Sequence, residues 1–197
     1  MSVIFLGDLV DRGPDSAKVV ERIRIMKQER PGVRILMGNH EEVFLDALSG
    51  DPKALKMFTR IGGRETIMSY GIESHDYETF DYDELAAALR NYVPDTHRDF
   101  MATFEDMVTI GDYSFVHAGV RPSVALDQQD TRDLRWIREP FLGHGRKLDQ
   151  IIVHGHTISE TIEERPHRIG IDTGAYATGR LSAIGMEAGS RWSLSTH

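Results

Sequence analysis

Four short clusters of chemically active residues mark the sequence. Residues 7–13 (GDLVDRG) place two carboxylates and a guanidinium on one tight loop, and the others are residues 38–41 (GNHE), 117–119 (HAG) and 154–157 (HGHT). Carboxylate, amide and imidazole groups bind divalent metals, and a guanidinium pairs with an anion through two hydrogen bonds. Because the chain has no cysteine, any metal must be held by Asp, Glu, Asn or His.

Each cluster taken alone also has an ordinary structural explanation. The first is a turn with a local ion pair, the second is a helix cap formed by Asn39, and His117 or His154 is a rim histidine at a strand end. The four occur together, however, and each follows an apolar run typical of a strand. Their joint occurrence favours one functional site.

The first forty residues predict a βαβ unit. Residues 3–6 form an apolar run typical of a strand covered on both faces, a helix opened by Asp15 or Ser16 follows, and residues 33–37 form a second strand. Both strands lead into polar residues. Ligands of open α/β sheets collect at such carboxyl ends, so we expect the site there.

Residues 41–105 predict a helical insert with weak amphipathicity. The insert holds 14 acidic and 6 basic residues, so its net charge of −8 equals that of the whole chain. A solvated helical face explains this bias, and the alternative is a lid that repels polyanions.

Short strands return after the insert, which predicts a second, largely antiparallel sheet. They are residues 107–110, 113–117, 151–154, 168–171 and 181–186. We therefore expect one α/β domain over residues 1–197, built as a two-sheet sandwich with a helical insertion.

Composition excludes several classes of protein. With 40% hydrophobic and 27% charged residues the chain is an ordinary globular protein, and no apolar stretch approaches the roughly 20 residues of a membrane span. The N-terminus lacks a signal peptide's basic start, and the negative charge argues against a general nucleic-acid binder. We expect a cytoplasmic protein that binds neither membranes nor nucleic acid, and the oligomeric state stays open.

The four clusters resemble the metallophosphoesterase superfamily, specifically its phosphoprotein phosphatase branch. That branch carries the blocks G-D-x-H-G, G-D-x-x-D-R-G, G-N-H-E, H-[AG]-G and G-H-[TQ], and the last four occur here from Gly7 to Thr157. The chain is most similar to compact bacterial members, described as serine/threonine phosphatases or as symmetrical diadenosine tetraphosphate hydrolases. The resemblance implies an αββα sandwich and a site for two divalent metals, with manganese first and iron, zinc, nickel or magnesium as alternatives.

The resemblance also implies individual roles. Asp8 would bridge the two metals, and the second metal site would be completed by Asn39, His117 and His156. Arg12 would grip the phosphate, with Asn39 beside it, and His40 would protonate the leaving group while Asp11 orients it. Arg138 is the candidate for a second phosphate-binding arginine, ahead of Arg135 and Arg121, and His154 would have a supporting role near the metal.

The first block, G-D-x-H-G, is absent, together with the strand and helix that accompany it in the family. The one D-x-H, Asp95-Thr96-His97, lies in the helical insert and is not expected to replace it. Three interpretations stay open: a truncated chain, which we favour, a natural variant retaining one metal, or a degenerate phosphatase. The four blocks that are present lead to two enzymatic hypotheses: a phosphoserine or phosphothreonine phosphatase, which leads, and a symmetrical dinucleoside tetraphosphate hydrolase. The absent block leads to a third, an inactive phosphate-binding module.

Overall fold

A computed structural model describes residues 2–196, which form a mixed α/β structure. These residues divide into two compact units, one ending at Glu105 and the other beginning at Asp106. The single-domain organisation stays a prediction. Within residues 2–196, none of the helices combines the length and the apolar character that crossing a bilayer requires.

The first unit contains a parallel pair of strands and a set of helices. Its elements are β1 (Val3–Phe5), α1 (Ser16–Glu29), β2 (Val33–Ile35), α2 (Asn39–Ser49), α3 (Pro52–Ile61), α4 (Gly63–Ser69), α5 (Ser74–Thr79), α6 (Tyr82–Tyr92) and α7 (Asp95–Met101). In the parallel register Val3 pairs with Val33 and Phe5 pairs with Ile35. The predicted βαβ unit is thus confirmed, with α1 as its crossover and Asp15 as its N-cap.

The predicted burial of β1 on both faces is wrong. Val3, Ile4 and Phe5 are each only half-buried, whereas Val33 and Ile35 of β2 are buried. The two strands form a two-stranded sheet, so β1 is an edge strand whose cover is incomplete.

The helical character of the insert is confirmed, and the insert has a core of its own. Phe44 of α2 stacks on Phe58 of α3 with ring centroids 4.8 Å apart, and Leu55, Ile67 and Leu89 are buried. Several of its acidic residues are helix caps, since Asp51 accepts a hydrogen bond from Lys53 N–H and Asp81 accepts from Asp83 and Glu84 N–H. These roles agree with a solvated helical face.

The second unit contains a five-stranded mixed sheet and a separate hairpin. Its elements are β3 (Met107–Ile110), β4 (Tyr113–Val116), a 3₁₀ turn (Leu126–Gln128), α8 (Thr131–Trp136), β5 (Ile151–His154), β6 (Glu163–Arg165), β7 (Arg168–Gly170), α9 (Ala175–Thr178), β8 (Ser182–Glu187) and β9 (Ser190–Ser195). The strand order in the sheet is β3-β4-β5-β7-β6. Its core includes Val116, Ile152 and Phe141.

The prediction of a largely antiparallel sheet is wrong at its centre. The strands β4, β5 and β7 run parallel, and only β3 and β6 at the edges pair antiparallel. The chain between β4 and β5 is long enough to return to the same end of the sheet, which short hairpin turns do not allow. The predicted strand at residues 181–186 is part of the hairpin β8–β9, not of this sheet.

Candidate functional site

The loop that follows β1 wraps around one buried carboxylate. Glu41, in the first turn of α2, is fully buried and accepts backbone hydrogen bonds from Asp8 (2.8 Å), Leu9 (2.6 Å), Val10 (3.2 Å) and Gly38 (3.0 Å). Four N–H dipoles pointing at one anion form a strong, charge-assisted cluster. Glu41 therefore fixes the path of the loop that carries Asp8.

This loop needs such an anchor because its backbone is strained. Asp8, Asp11 and Arg12 have φ angles of 55°, 75° and 63°, in the left-handed region that side chains with a Cβ rarely adopt. Loop residues held this way are typical of functional sites, where the strain is maintained by surrounding contacts.

Asp11 and His40 form a buried pair. The Asp11 Oδ2 and His40 Nδ1 atoms lie 2.6 Å apart, and the two side chains are almost entirely shielded from water. Burial raises the pKa of Asp11, although hydrogen bonds from His40 and Thr66 oppose the rise. Burial alone would lower the pKa of His40, but the bond to Asp11 and the charge of Asp8 outweigh it and raise that pKa. The contact with Asp11 therefore stabilises the charged form of His40 relative to a histidine buried without a carboxylate partner.

Asn39 is the first residue of α2 and not its cap. Gly38 is the N-cap, and a Cβ there would lie 2.5 Å from Asp8 N, Asp8 Oδ1 and Glu41 Oε2. The alternative explanation of this cluster, in which Asn39 caps the helix, is therefore wrong. The backbone N–H of His40 lies 3.4 Å from Asp8 Oδ1, so Asp8 and the start of α2 are adjacent in the first unit.

Arg12 is anchored by the turn between α3 and α4. Its backbone N–H donates to Gly62 O (2.9 Å) and its Nε donates to Ile61 O (3.2 Å). Gly62 has a φ of 119°, and a Cβ on it would lie 2.5 Å from Arg12 Cγ. The insert thus supports the stem of this exposed guanidinium and is more than a solvated surface.

In the second unit, two imidazoles meet at the carboxyl ends of parallel strands. The β4–β5 register pairs Phe115 with Val153, and Gly155 N–H donates to His117 O at 2.8 Å. His117 Nε2 lies 3.3 Å from His156 Nδ1. His156 has a φ of 62°, so a tight, strained turn presents it beside His117.

His154 supports this turn from behind. Its Nδ1–H donates to Gly155 O at 3.0 Å, and Arg168 Nη1 lies 3.3 Å from its Nε2. Burial lowers the pKa of His154 to about 4, so the ring is neutral near pH 7. With Nδ1 as donor and Nε2 facing an arginine, His154 is held against the turn that leads to His156, and its supporting role near a metal stays a prediction.

The three candidate arginines of the second unit differ in their surroundings. Arg121 forms a two-point ion pair with Asp133, and Arg135 bonds to Asp106. Arg138 is exposed.

In the first unit, His97 is buried and hydrogen-bonds to Tyr70 Oη (3.0 Å) and Glu21 Oε2 (3.1 Å). Both of its ring nitrogens are thus used in packing contacts, as expected for a residue outside the site.

Sequence reasoning missed two residues that shape the site. Glu41 belongs to a recognised cluster, but no role was assigned to it. Its position three residues after Gly38 predicts a glutamate that caps the helix. The same spacing does not predict its hydrogen bonds to the loop. Thr66 lies in α4, and its hydroxyl is 2.8 Å from Asp11 Oδ1. A threonine within a helical insert carries no comparable signal.

Comparisons with known proteins agree on one family. A family model described as calcineurin-like phosphoesterase matches residues 2–181. The chain is 24% identical to the asymmetrical bis(5'-nucleosyl)-tetraphosphatase PrpE of Anoxybacillus flavithermus over 91% of this chain and 73% of that protein. It is 31% identical to the symmetrical bis(5'-nucleosyl)-tetraphosphatase of Methylococcus capsulatus over 61% of this chain and 34% of the relative.

Solved structures show the same fold. A candidate diadenosine tetraphosphatase superposes with a TM-score of 0.64 at 21% identity, covering 98% of this chain and 80% of the other. The cold-active protein-tyrosine phosphatase of a Shewanella species gives a TM-score of 0.53 at 16% identity, over 97% of this chain and 68% of the other.

Proposed function

Because the chain belongs to the calcineurin-like phosphoesterase family, we propose that it hydrolyses phosphate esters with the help of divalent metal. The proposed metal ligands are Asp8, Asn39, His117 and His156. When bound, the metal would activate the attacking water and neutralise charge on the phosphoryl group. Side chains of this protein would bind the phosphate and protonate the leaving group.

The donor atoms in each unit fit such a metal. In the second unit, His117 Nε2 and His156 Nδ1 lie 3.3 Å apart, so the two imidazole nitrogens are close enough to bind one ion together. In the first unit, Asp8 and Asn39 supply oxygen donors on adjoining segments. A mixed nitrogen and oxygen set suits manganese, iron or zinc, and we propose manganese.

The observation that carries the proposal is the buried contact between Asp11 and His40. A histidine held through Nδ1 by a carboxylate is oriented to deliver the proton on its Nε2, as in other enzymes with a carboxylate–histidine pair. As the bond between phosphorus and the leaving oxygen breaks, the electron pair stays on that oxygen and the His40 proton neutralises it. Asp11 stays ionised and stabilises the charged imidazole.

Arginine side chains would hold the phosphate. The guanidinium of Arg12 suits two-point contact with phosphoryl oxygens, and the carbonyls of Ile61 and Gly62 fix its stem. Asn39 would assist through its amide. We propose Arg138 as the second arginine because Arg121 and Arg135 are already bonded to aspartates.

The Asp11–His40 pair favours phosphoserine or phosphothreonine as substrate. An alkoxide is a strong base and needs a proton to leave, so a positioned acid is most useful for these esters. The acidic insert is also more compatible with one phosphate than with a chain of four.

The second candidate substrate is a dinucleoside tetraphosphate. Its support is the names of the relatives, since both bis(5'-nucleosyl)-tetraphosphatases and the candidate diadenosine tetraphosphatase carry this activity in their descriptions. A nucleotide leaving group is weakly basic and depends less on protonation.

Side-by-side values of kcat/KM decide between the two substrates. The purified chain with manganese would be assayed on a phosphoserine peptide and on diadenosine tetraphosphate, and Asp8→Asn would be the inactive reference. We expect the higher kcat/KM on the phosphopeptide. A clear preference for diadenosine tetraphosphate would reverse the ranking, and tight phosphopeptide binding without turnover in metal-loaded protein would support a binding module instead.

A further inference from the structure

One side chain of the helical insert contacts the loop that follows β1 and carries Asp8 and Asp11. Thr66 of α4 is fully buried, and its hydroxyl contacts both the backbone and the side chain of Asp11. The hydroxyl lies 2.8 Å from Asp11 Oδ1 as donor and 2.7 Å from Asp11 N as acceptor. It is also 3.1 Å from the hydroxyl of Ser16.

In these contacts the Thr66 hydroxyl acts both as a hydrogen-bond donor and as an acceptor. A threonine hydroxyl has one hydrogen to donate and lone pairs that accept, which is the combination that the carboxylate and the N–H of Asp11 require. Ser16 Oγ gives partial help, since it accepts from Asp11 N at the longer distance of 3.2 Å. A valine at position 66 has the same shape and can make none of these bonds.

Thr66 therefore complements His40 on the other side of the same carboxylate. Oδ2 of Asp11 contacts His40 Nδ1, and Oδ1 contacts Thr66. Asp11 itself has a left-handed φ of 75°, so its position depends on such contacts. Fixing Oδ1 and the backbone N–H fixes the direction in which Oδ2 holds the imidazole.

We infer that Thr66 is a positioning residue for proton transfer to the leaving group. The inference rests on the proposed function, because it assigns Thr66 to the step in which His40 acts as acid. Its role is separate from metal binding, since Thr66 acts on Asp11 and His40 and not on the proposed ligands. It lies outside the motifs recognised in the sequence and makes the insert part of the catalytic apparatus.

The activity test compares two substrates that differ in their need for a proton. Phenyl phosphate has a basic leaving group, whereas the leaving group of p-nitrophenyl phosphate departs as a stable anion. With manganese present, Thr66→Val is expected to lower kcat on phenyl phosphate by about tenfold or more and on p-nitrophenyl phosphate by no more than about twofold. Thr66→Ser, which keeps the hydroxyl, restores the rate on phenyl phosphate.

Thr59→Val is the matched control, because its hydroxyl donates a hydrogen bond to Lys56 O within its own helix, α3. It should leave both rates unchanged. Equal losses on both substrates in Thr66→Val, or equal losses in the valine and serine variants, would overturn the proposal, since a purely structural threonine predicts them.

A spectroscopic test does not depend on turnover. The short bond between His40 Nδ1 and Asp11 should give a far-downfield proton resonance in the NMR spectrum, assigned by its loss in His40→Asn. We expect it to persist in Thr66→Ser and to be lost or shifted upfield in Thr66→Val. An unchanged resonance in Thr66→Val would overturn the inference even if the wild type hydrolyses neither substrate, an outcome that would itself count against the proposed function.

If Thr66→Val does not fold, the pair Thr66→Ser and Thr66→Ala decides. Both variants lack the methyl group and differ by one oxygen atom, so a difference between their His40 resonances reports the hydroxyl alone. Identical spectra for the two variants would contradict the inference.

Discussion

The carboxylate of Glu41 accepts a hydrogen bond from the backbone N–H of Asp8 at 2.8 Å, and three further N–H groups point at the same carboxylate. One buried anion thereby ties the start of α2 to the loop that carries Asp8, Asp11 and Arg12. Since that loop is strained, its geometry depends on this anchor.

Glu41→Gln should therefore destabilise the protein strongly. An amide offers one acceptor oxygen, and its NH₂ group opposes the remaining N–H donors, so the free energy of unfolding should fall by about 3 kcal/mol in urea denaturation. Glu84→Gln is the matched control, because Glu84 has the same capping position in α6 but is exposed. The free energy of unfolding of Glu84→Gln should fall by less than about 1 kcal/mol. Equal losses of stability in the two variants would contradict the anchor role of Glu41.

Gly38→Ala should disturb the same contact from the other side. The added Cβ would lie 2.5 Å from Asp8 N and Asp8 Oδ1, so the loop must shift. The free energy of unfolding, measured by thermal or chemical denaturation, should fall by about 1–3 kcal/mol. Manganese affinity should fall as well, because Asp8 is a proposed ligand. Gly145→Ala, where the added Cβ meets nothing within 4 Å, serves as the control, and similar effects of the two changes would argue against the prediction.

Glu21 gives a stability prediction that depends on pH. Hydrogen bonds from Arg24, and more weakly from His97, lower its pKa from 4.5 to about 2. A carboxylate with a lowered folded-state pKa contributes stability above its unfolded pKa and loses that contribution as the pH falls towards the folded value. The advantage of the wild type over Glu21→Gln in urea unfolding should therefore be full at pH 7 and shrink between about pH 4.5 and 2.

Glu29→Gln, which removes an exposed carboxylate from the same helix, is the reference for this titration. A difference between wild type and Glu21→Gln that stays constant from pH 7 to 3 would show that these hydrogen bonds do not contribute to stability.

Arg168 supports the turn that carries His156. Its side chain is 6% exposed and lies within hydrogen-bond distance of Glu163 and of the buried His154, so Arg168→Met should lower the free energy of unfolding by about 2 kcal/mol, because the buried Nε2 of His154 loses its neighbour. Arg165 pairs with the same glutamate from the surface, and Arg165→Met should cost less than about 1 kcal/mol. Equal losses in the free energy of unfolding for the two variants would mean that the burial of Arg168 does not add to stability.

The sequence predicted the elements that carry the site better than the sheets that they belong to. The strand ends before Asp8, Asn39, His117 and His154 were recognised because each apolar run stops at a polar cluster. The parallel centre of the second sheet was missed because strand direction depends on how the connecting segments return, which the pattern of short runs does not record.

The supporting contacts were less accessible to sequence reasoning. Asp11 and His40 were paired through the family resemblance, but the hydrogen bonds from Asp11 N–H to Thr66 and from Arg12 Nε–H to Ile61 O join residues about 50 positions apart. Neither α3 nor α4 carries a motif that predicts them. They arise from the packing of the insert helices, which only the three-dimensional structure reveals.

The most direct test of the account is manganese-dependent release of phosphate from a phosphoserine peptide by wild type and His40→Asn, with bound metal measured in both. We expect the wild type to release phosphate, and His40→Asn to retain its metal while kcat falls by about 100-fold or more. Metal-loaded wild type that releases no phosphate, or a His40→Asn variant with full activity, would contradict the central claim.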